Sequence, residues 1–333
     1  MMLEVNGLTV SFATDGGVVS AVDDVSFELD RGEILAIVGE SGSGKSVTAQ
    51  TLLGLTRAPN ATIGGSVRFD GVDLNDLDDD GWRSIRGERI AMIFQDPMTS
   101  LNPVYRIGDQ LTEMIRAHRD VSKKEARELA VELLRSVGIP NPERRVRDYP
   151  HEFSGGMRQR VMIAMALSLD PDVLIADEPT TALDVTVQAQ ILRLLARLNE
   201  ERSLAVVLIT HDLGVVAEVA DRVAVMYAGQ IVEQATLDEL FYDPQHPYTW
   251  GLLGSLPRLD QPNPERLAQI AGAPPSLADP PAGCRFAPRC PHVFEKCAEP
   301  PPLQRDRCWL TDEQKRTLRM VDGRIGLRRA VIT

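Results

Sequence analysis

The sequence has no long apolar segment. Nowhere in its 333 residues is there a stretch near the roughly 18–20 uninterrupted apolar residues that a membrane-spanning helix needs. The start, Met1 to Val5, has no basic segment followed by an apolar block, so we expect no secretion signal and a chain that stays in the cytoplasm. If such a protein works at a membrane, it has to dock onto another protein.

Positive charge is also scarce. The chain has 36 lysines and arginines against 48 aspartates and glutamates, a formal net charge of -12. Because binding to a nucleic-acid backbone requires a basic face, we expect no nucleic-acid partner. We interpret the acidity as a contribution to solubility.

Cysteine is absent until the last part of the chain. In a chain expected to be cytoplasmic, a cluster of four cysteines suggests metal binding before disulfides. Four thiolates suit a tetrahedral zinc ion or an iron–sulfur cluster, although the spacing lacks the C-x2-C pairs of common zinc ribbons. Reduced free thiols are the remaining alternative. The candidate ligands are Cys284, Cys290, Cys297 and Cys308.

The apolar pattern predicts an α/β fold. Alternating runs on either side of Gly16-Gly17 predict a hairpin of half-buried strands. Ile34–Val38 and Val173–Ala176 are continuous apolar runs, as expected of strands buried on both faces. Strands and helices alternate up to Tyr227, which indicates a parallel sheet covered by helices. A mostly helical insert is expected at about residues 75–168.

The composition of the sequence changes near residue 240. Prolines recur from Pro244 to Pro281 and break the regular pattern. We therefore divide the chain into a domain of residues 1–240 and a proline- and cysteine-rich C-terminal extension of residues 241–333.

A phosphate-binding loop follows the first buried strand. Its eight residues match G-x-x-x-x-G-K-[ST] in full, between a strand and a helix. The glycines let backbone N–H groups turn toward a phosphate, the lysine supplies a cation between the β- and γ-phosphates, and the last serine ligates Mg²⁺. The loop comprises Gly39, Glu40, Ser41, Gly42, Ser43, Gly44, Lys45 and Ser46, and Val47 continues the helix. These residues predict binding of ATP with Mg²⁺.

A carboxylate pair ends the second buried strand. Open α/β sheets bind ligands at the carboxyl ends of their strands. We assign Asp177 to the shell of the Mg²⁺ ion and Glu178 to the general base that orients the attacking water.

Ser154-Gly155-Gly156, about 20 residues earlier in the chain, offers a hydroxyl and two glycine amides at a helix start, which together form an anion site. This segment resembles the signature motif of ATP-binding-cassette (ABC) proteins, which faces the γ-phosphate of ATP held by a partner subunit.

Other motifs of the ABC family follow in the family's order. Gln95 resembles the Q-loop glutamine that senses Mg²⁺, and Asp184, in Ala182-Leu183-Asp184, resembles the D-loop at the dimer interface. His211 resembles the switch histidine at the γ-phosphate, and Phe12 is the candidate that stacks on adenine.

The family resemblance, which covers residues 1–240, implies a P-loop RecA-like core with an antiparallel β-subdomain and a helical subdomain. It also implies that two such domains close face to face around ATP.

Three segments resemble a narrower group, the ATPases of dipeptide and oligopeptide importers. They are residues 94–103, residues 177–188 and Pro244-Gln245-His246-Pro247-Tyr248-Thr249. The resemblance implies an ATPase at the cytoplasmic face of the membrane, with a second ATPase subunit, expected to be a paralogue. Two membrane permease subunits and a substrate-binding protein complete the implied complex. Nickel and glutathione are alternative cargoes within this group.

Members of this group can carry a cysteine-rich tail associated with an iron–sulfur cluster. We therefore expect a [4Fe-4S] cluster at the four cysteines, ahead of zinc, as a structural staple of the extension. Two rival functions are a cassette ATPase of DNA repair or translation and an iron–sulfur regulatory protein that responds to ATP. The first usually carries a long coiled coil or two cassettes, which this sequence does not show.

Overall fold

A computed structural model describes residues 1–96, 100–181, 183–256 and 270–321. Pro97, Met98 and Thr99 of the Q-loop segment, and Ala182 of the D-loop segment, lie outside the described residues. The chain forms two compact units, each assembled from several segments of the sequence. The first comprises residues 1–2, 29–34 and 76–209, and the second comprises residues 3–28, 35–75 and the described residues from 210 onward.

The strands are β1 (Leu3–Thr14), β2 (Gly17–Leu29), β3 (Ile34–Val38), β4 (Ala61–Phe69), β5 (Val72–Asp73), β6 (Ile90–Ile93), β7 (Val173–Asp177), β8 (Ala205–Thr210), β9 (Arg222–Tyr227) and β10 (Gln230–Thr236). The α-helices are α1 (Lys45–Leu52), α2 (Asp79–Ile85), α3 (Ile107–His118), α4 (Lys123–Ser136), α5 (Pro142–Arg145), α6 (Gly155–Ala166), α7 (Val185–Arg202), α8 (Leu213–Val219), α9 (Leu237–Tyr242), α10 (Pro247–Gly254) and α11 (Asp312–Val321). Among the residues described, no helix is both long and apolar enough to cross a membrane.

The first unit contains three parallel strands, with β7 paired to β6 on one side and to β8 on the other. All five residues of β7 are buried, as its continuous apolar run predicts. Strand β6 lies within the stretch predicted to be mostly helical. Its apolar run of four residues is too short for periodicity to distinguish a strand from a helix.

Helices α2 to α6 of the first unit occupy the predicted helical insert. Helix α4 starts at a capping box in which Ser122 and Glu125 each bond the other's backbone amide. Its buried positions, Ala126, Ala130 and Leu134, recur every fourth residue and form one apolar stripe along the helix. Leu129, between two of these positions, is exposed.

The second unit contains a four-stranded sheet in the order β2-β1-β4-β5. The predicted hairpin of β1 and β2 is present, with Asp15 and Gly16 in the turn. Strand β4 was not predicted, because Gly64 and Gly65 interrupt its apolar pattern. A Cβ on Gly65 would lie 2.3 Å from the carbonyl oxygen of Gly7, so the glycine permits close approach at a bulge between β1 and β4.

The second unit also holds strands β3, β9 and β10, in which β9 pairs parallel with β3 and antiparallel with β10. After β10 come α9, α10, α11 and two short 3-10 helices, Ala287–Arg289 and Glu295–Ala298. His246 caps the start of α10, since its Nδ1 accepts a hydrogen bond of 3.1 Å from the Tyr248 amide and Pro247 occupies the first turn of the helix.

Candidate functional site

The predicted phosphate loop joins β3 to α1 in the second unit. Gly44, at the N-cap of α1, has a φ of 99°, in the region that favours glycine. A Cβ on Gly44 would lie 2.4 Å from the carbonyl oxygen of Ala21 and 2.8 Å from Cε of Met226. Only glycine therefore fits this position. It also leaves the start of α1 without a capping side chain that would compete with an anion.

Lys45 is held inside the curve of this loop, with only 5% of its surface exposed. Its Nζ donates to the carbonyl oxygens of Gly39 at 2.8 Å and Glu40 at 2.9 Å. The ammonium group therefore lies on the inner side of the loop, bound to the backbone of its first two residues. Ser46 and Val47, in the first turn of α1, are half-buried.

The first unit brings Gln95 and Glu178 together, although 83 residues separate them in the sequence. Gln95 Nε2 donates to Glu178 Oε2 at 3.2 Å, and Thr181 Oγ1 donates to the same oxygen at 2.8 Å. Glu178 follows the buried Asp177 with a φ of 47°, and its amide bonds the carbonyl oxygen of Ile209. Both its backbone and its carboxylate are thus fixed in direction.

Thr181 was not among the site residues predicted from the sequence. Its position three residues after Glu178 could have indicated a role beside that carboxylate. The two residues form a tight turn in which the Thr181 amide donates to the Glu178 carbonyl oxygen at 3.2 Å. Threonine in such a turn often bonds a nearby acceptor with its hydroxyl.

The signature and D-loop residues cap two helices that start close together in the first unit. Ser154 accepts from the Met157 amide at the start of α6, and Asp184 accepts from the Val187 amide at the start of α7. A Cβ on Gly156 would lie 2.5 Å from Cγ1 of Val187, so the two helix starts are in close contact. Ser154, Gly155 and Asp184 are exposed.

The remaining predicted ATP-site residues lie in the second unit. His211 is exposed and follows the end of β8, and the next residue, Asp212, caps α8 through the Gly214 amide. Phe12 is half-buried on β1, in register opposite Ala61 of β4.

The four cysteines line one cavity in the extension, together with aromatic side chains that include Phe286 and Trp309. Burial raises the pKa of Cys290 to about 11 and that of Cys308 to about 12, and it also raises the pKa of Cys284. Burial therefore favours the protonated thiol over the thiolate at these three cysteines. Within the described part of the chain, no group of three or more His, Cys, Asp or Glu side chains is arranged to hold a metal ion. The shared cavity agrees with the predicted clustering, but the geometry gives no support for a bound metal.

Comparison with known families identifies the chain. A model described as "ABC transporter" matches residues 22–181, and one described as "Oligopeptide/dipeptide transporter, C-terminal region" matches residues 232–297. The oligopeptide transport ATP-binding protein of Bacillus subtilis is 57% identical over 88% of this chain and 82% of its own length. The dipeptide transport ATP-binding protein of the same organism is 55% identical over 94% of this chain and 96% of its own. The chain belongs to the ABC transporter ATPases. Its group is that of the dipeptide and oligopeptide importers.

Solved structures agree with this assignment. The ATPase resembles a dimeric bacterial ABC transporter cassette, with a TM-score of 0.63 and 32% identity over 71% of this chain and 99% of that one. The same cassette has been solved in a dimeric post-hydrolysis state bound to ADP and Pi, with the same TM-score, identity and coverage. The chain is therefore an ATP-hydrolysing subunit of an ABC importer. These comparisons give no support for nickel or glutathione import, or for an ATP-responsive iron–sulfur regulator.

Proposed function

We propose that ATP hydrolysis by this subunit drives the import of dipeptides or oligopeptides. The observation that carries the proposal is the 55–57% identity to ATP-binding proteins named for oligopeptide and dipeptide transport, over 88–94% of the chain. The match of residues 232–297 to the C-terminal region of such transporters supports it independently of the ATP-binding motifs.

Uptake by cells lacking the gene tests the cargo. We expect complementation with the intact gene to restore uptake of labelled dipeptides or oligopeptides, and a Lys45→Ala variant, which lacks the phosphate-binding cation, to restore none. Restoration of nickel or glutathione uptake, without any effect on peptides, would refute the proposed cargo.

The residue roles are part of the same proposal. The phosphate loop binds the β- and γ-phosphates through its amides and Lys45, and Ser46 with Gln95 ligates Mg²⁺. Asp177 supports the metal shell, Glu178 accepts a proton from the attacking water, and His211 contacts the γ-phosphate. The hydrogen bond between Gln95 and Glu178 supports this division, because it links the proposed metal ligand to the proposed base.

We also propose that the active unit is a pair of ATPase subunits. The signature residues are exposed at a helix start, where they are available to an anion held by another chain. Val185, next to Asp184, has 83% of its surface exposed, which fits a surface covered by a partner. The second subunit is expected to be a paralogue. The pair would bind two permease subunits at the cytoplasmic face of the membrane, with a substrate-binding protein delivering the cargo.

The cysteine cavity is proposed to hold an iron–sulfur cluster, with zinc as the alternative. Four thiols around one cavity supply the donor set of such a cluster. A zinc ion with Zn–S bonds of about 2.3 Å would draw four sulfurs close together. The described side chains show no such group. An iron–sulfur cluster is also held by cysteine thiolates, so both forms of the proposal depend on the four cysteines that line this cavity.

Iron and zinc analysis of anaerobically purified protein, with its visible absorbance, distinguishes these alternatives. Iron and acid-labile sulfide that disappear in a Cys297→Ser variant would support the cluster. Protein that contains neither metal after anaerobic purification would refute both forms of the proposal.

A further inference from the structure

Glu40, the second residue of the phosphate loop, is held at three points. Its carboxylate accepts two hydrogen bonds from the guanidinium of Arg289, at 2.8 Å and 3.1 Å. Its amide donates to the hydroxyl of Tyr248 at 3.0 Å, and its carbonyl oxygen accepts from Lys45 at 2.9 Å. Two of these three partners come from the C-terminal extension, more than 200 residues away in the sequence.

The guanidinium of Arg289 is firmly placed. Only 5% of its side chain is exposed, and besides Glu40 it donates to the carbonyl oxygens of Ala271 at 3.0 Å and Ile270 at 3.3 Å. It also donates to the hydroxyl of Tyr227 at 3.3 Å. A bidentate arginine–carboxylate pair with these supports fixes both direction and distance.

Tyr248 is equally constrained. It is fully buried, with its ring 4.6 Å from that of Tyr227 and 5.4 Å from that of Phe286. Its hydroxyl therefore has little freedom to leave the Glu40 amide, and the second residue of the loop is fixed by both its backbone and its side chain.

The negative charge of Glu40 explains why its contacts with Arg289 and Tyr248 are important. A carboxylate in a loop that receives the phosphates of ATP repels them. In the pair with Arg289 this charge is neutralised by two hydrogen bonds to the guanidinium. Without Arg289, a carboxylate that is only 26% exposed would lose its partner and oppose the incoming anion.

We propose that Arg289 and Tyr248 are positioning residues for ATP: they hold Glu40, neutralise its charge and keep the phosphate loop in the shape that receives nucleotide. This inference rests on the proposed role of the loop in ATP binding and is independent of the cargo. Arg289 directly precedes Cys290, which lines the cysteine cavity. The hydrogen bonds of Arg289 to Glu40 therefore connect the extension to the ATP site.

A double-variant cycle on the full-length chain tests the proposal. The dissociation constant for ATP is measured for the wild type, Arg289→Ala, Glu40→Gln and the combined variant. We expect Arg289→Ala to weaken ATP binding on the order of tenfold. The combined variant should bind within about two- to threefold of Glu40→Gln alone, because the unpaired charge has been removed. Arg289→Lys keeps the charge but loses the bidentate geometry, so an intermediate value is expected.

Arg307→Ala serves as the matched control. Arg307 is also a buried arginine of the extension, but its hydrogen bonds to Asp24 and to the Ile231 carbonyl oxygen lie outside the phosphate loop. An equal loss of ATP affinity in Arg307→Ala, or failure of Glu40→Gln to rescue Arg289→Ala, would show a merely structural role and overturn the inference. An unchanged affinity in both Arg289→Ala and Arg289→Lys would overturn it too. If Lys45→Ala keeps full ATP affinity, the proposed role of the loop itself is wrong, which is a different result.

Discussion

At the scale of single residues, the orientation of the Glu178 carboxylate is a feature that the sequence alone could not predict. The motif identified the residue, but its orientation depends on two donors, Gln95 and Thr181, that converge on one carboxylate oxygen. A general base is effective only when it faces the proton that it accepts. The hydrogen bonds to Oε2 therefore belong to the proposed catalytic geometry.

Thr181→Val tests this orientation. The substitution preserves shape and removes the hydroxyl that donates to Glu178, a bond that contributes about 1 kcal/mol. We expect kcat for ATP hydrolysis by the assembled transporter to fall roughly threefold to tenfold, with the dissociation constant for ATP unchanged. Thr181→Ser retains the hydroxyl and should remain near the wild-type rate. Equal rates for the valine and serine variants would show that the bond has no catalytic effect.

Substitution of Gly156 tests the close contact between the first turns of α6 and α7. Its missing Cβ would lie 2.5 Å from Val187, so Gly156→Ala should destabilise the chain by about 1–3 kcal/mol through overpacking. Denaturant unfolding measures the change. Gly155→Ala is the control, because its Cβ would meet Leu183 at an ordinary 3.5 Å. Val187→Ala should largely restore the stability of Gly156→Ala, and an absence of rescue would contradict the packing account.

At the scale of elements, strand β10 carries a buried carboxylate that ties it to the start of α10. Glu233 accepts from the amides of Gln245 at 2.7 Å and His246 at 2.8 Å. Burial raises its pKa from 4.5 to about 7. Burial also lowers the pKa of His246 from 6.5 to about 3, with help from the charge of Lys315.

These two shifts have opposite effects on stability. Folded Glu233 keeps its proton up to about pH 7 whereas the unfolded chain loses it near pH 4.5, so its contribution to stability falls as pH rises through this window. Folded His246 stays neutral where the unfolded chain is protonated, so its contribution rises with pH between about 3 and 6.5. In the wild type the two slopes oppose each other.

Glu233→Gln separates the two effects. Relative to wild type, its free energy of unfolding should increase between pH 4.5 and about 7, by at most about 1.4 kcal/mol per pH unit. Glu239→Gln is the control: the amide of Thr236 lowers the pKa of Glu239 below 4.5, so its difference from wild type should be flat above pH 4.5. A flat difference for Glu233→Gln as well would show that this carboxyl does not titrate as described.

The sequence predicted the elements with strong patterns and missed those without them. The buried runs of β3 and β7, and the hairpin of β1 and β2, were evident from apolar periodicity. Strand β4 was hidden by two glycines, and β6 by its shortness. Such strands are defined by the neighbours with which they pair, and those neighbours are remote in sequence.

The residues of the site also fall into those that the sequence predicted and those that it did not. Lys45, Glu178 and Ser154 lie in motifs of fixed spacing, so the sequence identified them as candidates. The contact of Thr181 with Glu178 is local, and a threonine in a tight turn was its only sequence signal. The contact of Arg289 with Glu40 could not be predicted, because no local pattern specifies which side chains meet across a fold.

At the scale of the whole molecule, an importer ATPase has to couple chemistry to movement in other chains. The exposed helix starts of α6 and α7, with Ser154 and Asp184, fit a partner ATPase. We propose that ATP binding closes this pair and that hydrolysis reopens it. Binding and hydrolysis are therefore separable steps, and a variant that blocks only hydrolysis should stop transport while ATP remains bound.

The most direct test uses Glu178→Gln in a transporter reconstituted with its permeases and substrate-binding protein in proteoliposomes. ATP hydrolysis, ATP binding and uptake of a labelled peptide are measured together for the variant and the wild type. We expect wild-type transporter to couple hydrolysis to peptide uptake. The variant should bind ATP normally, hydrolyse it at least about 100-fold more slowly and import no peptide above background. Normal hydrolysis by the variant, or wild-type hydrolysis that moves no peptide, would contradict the account.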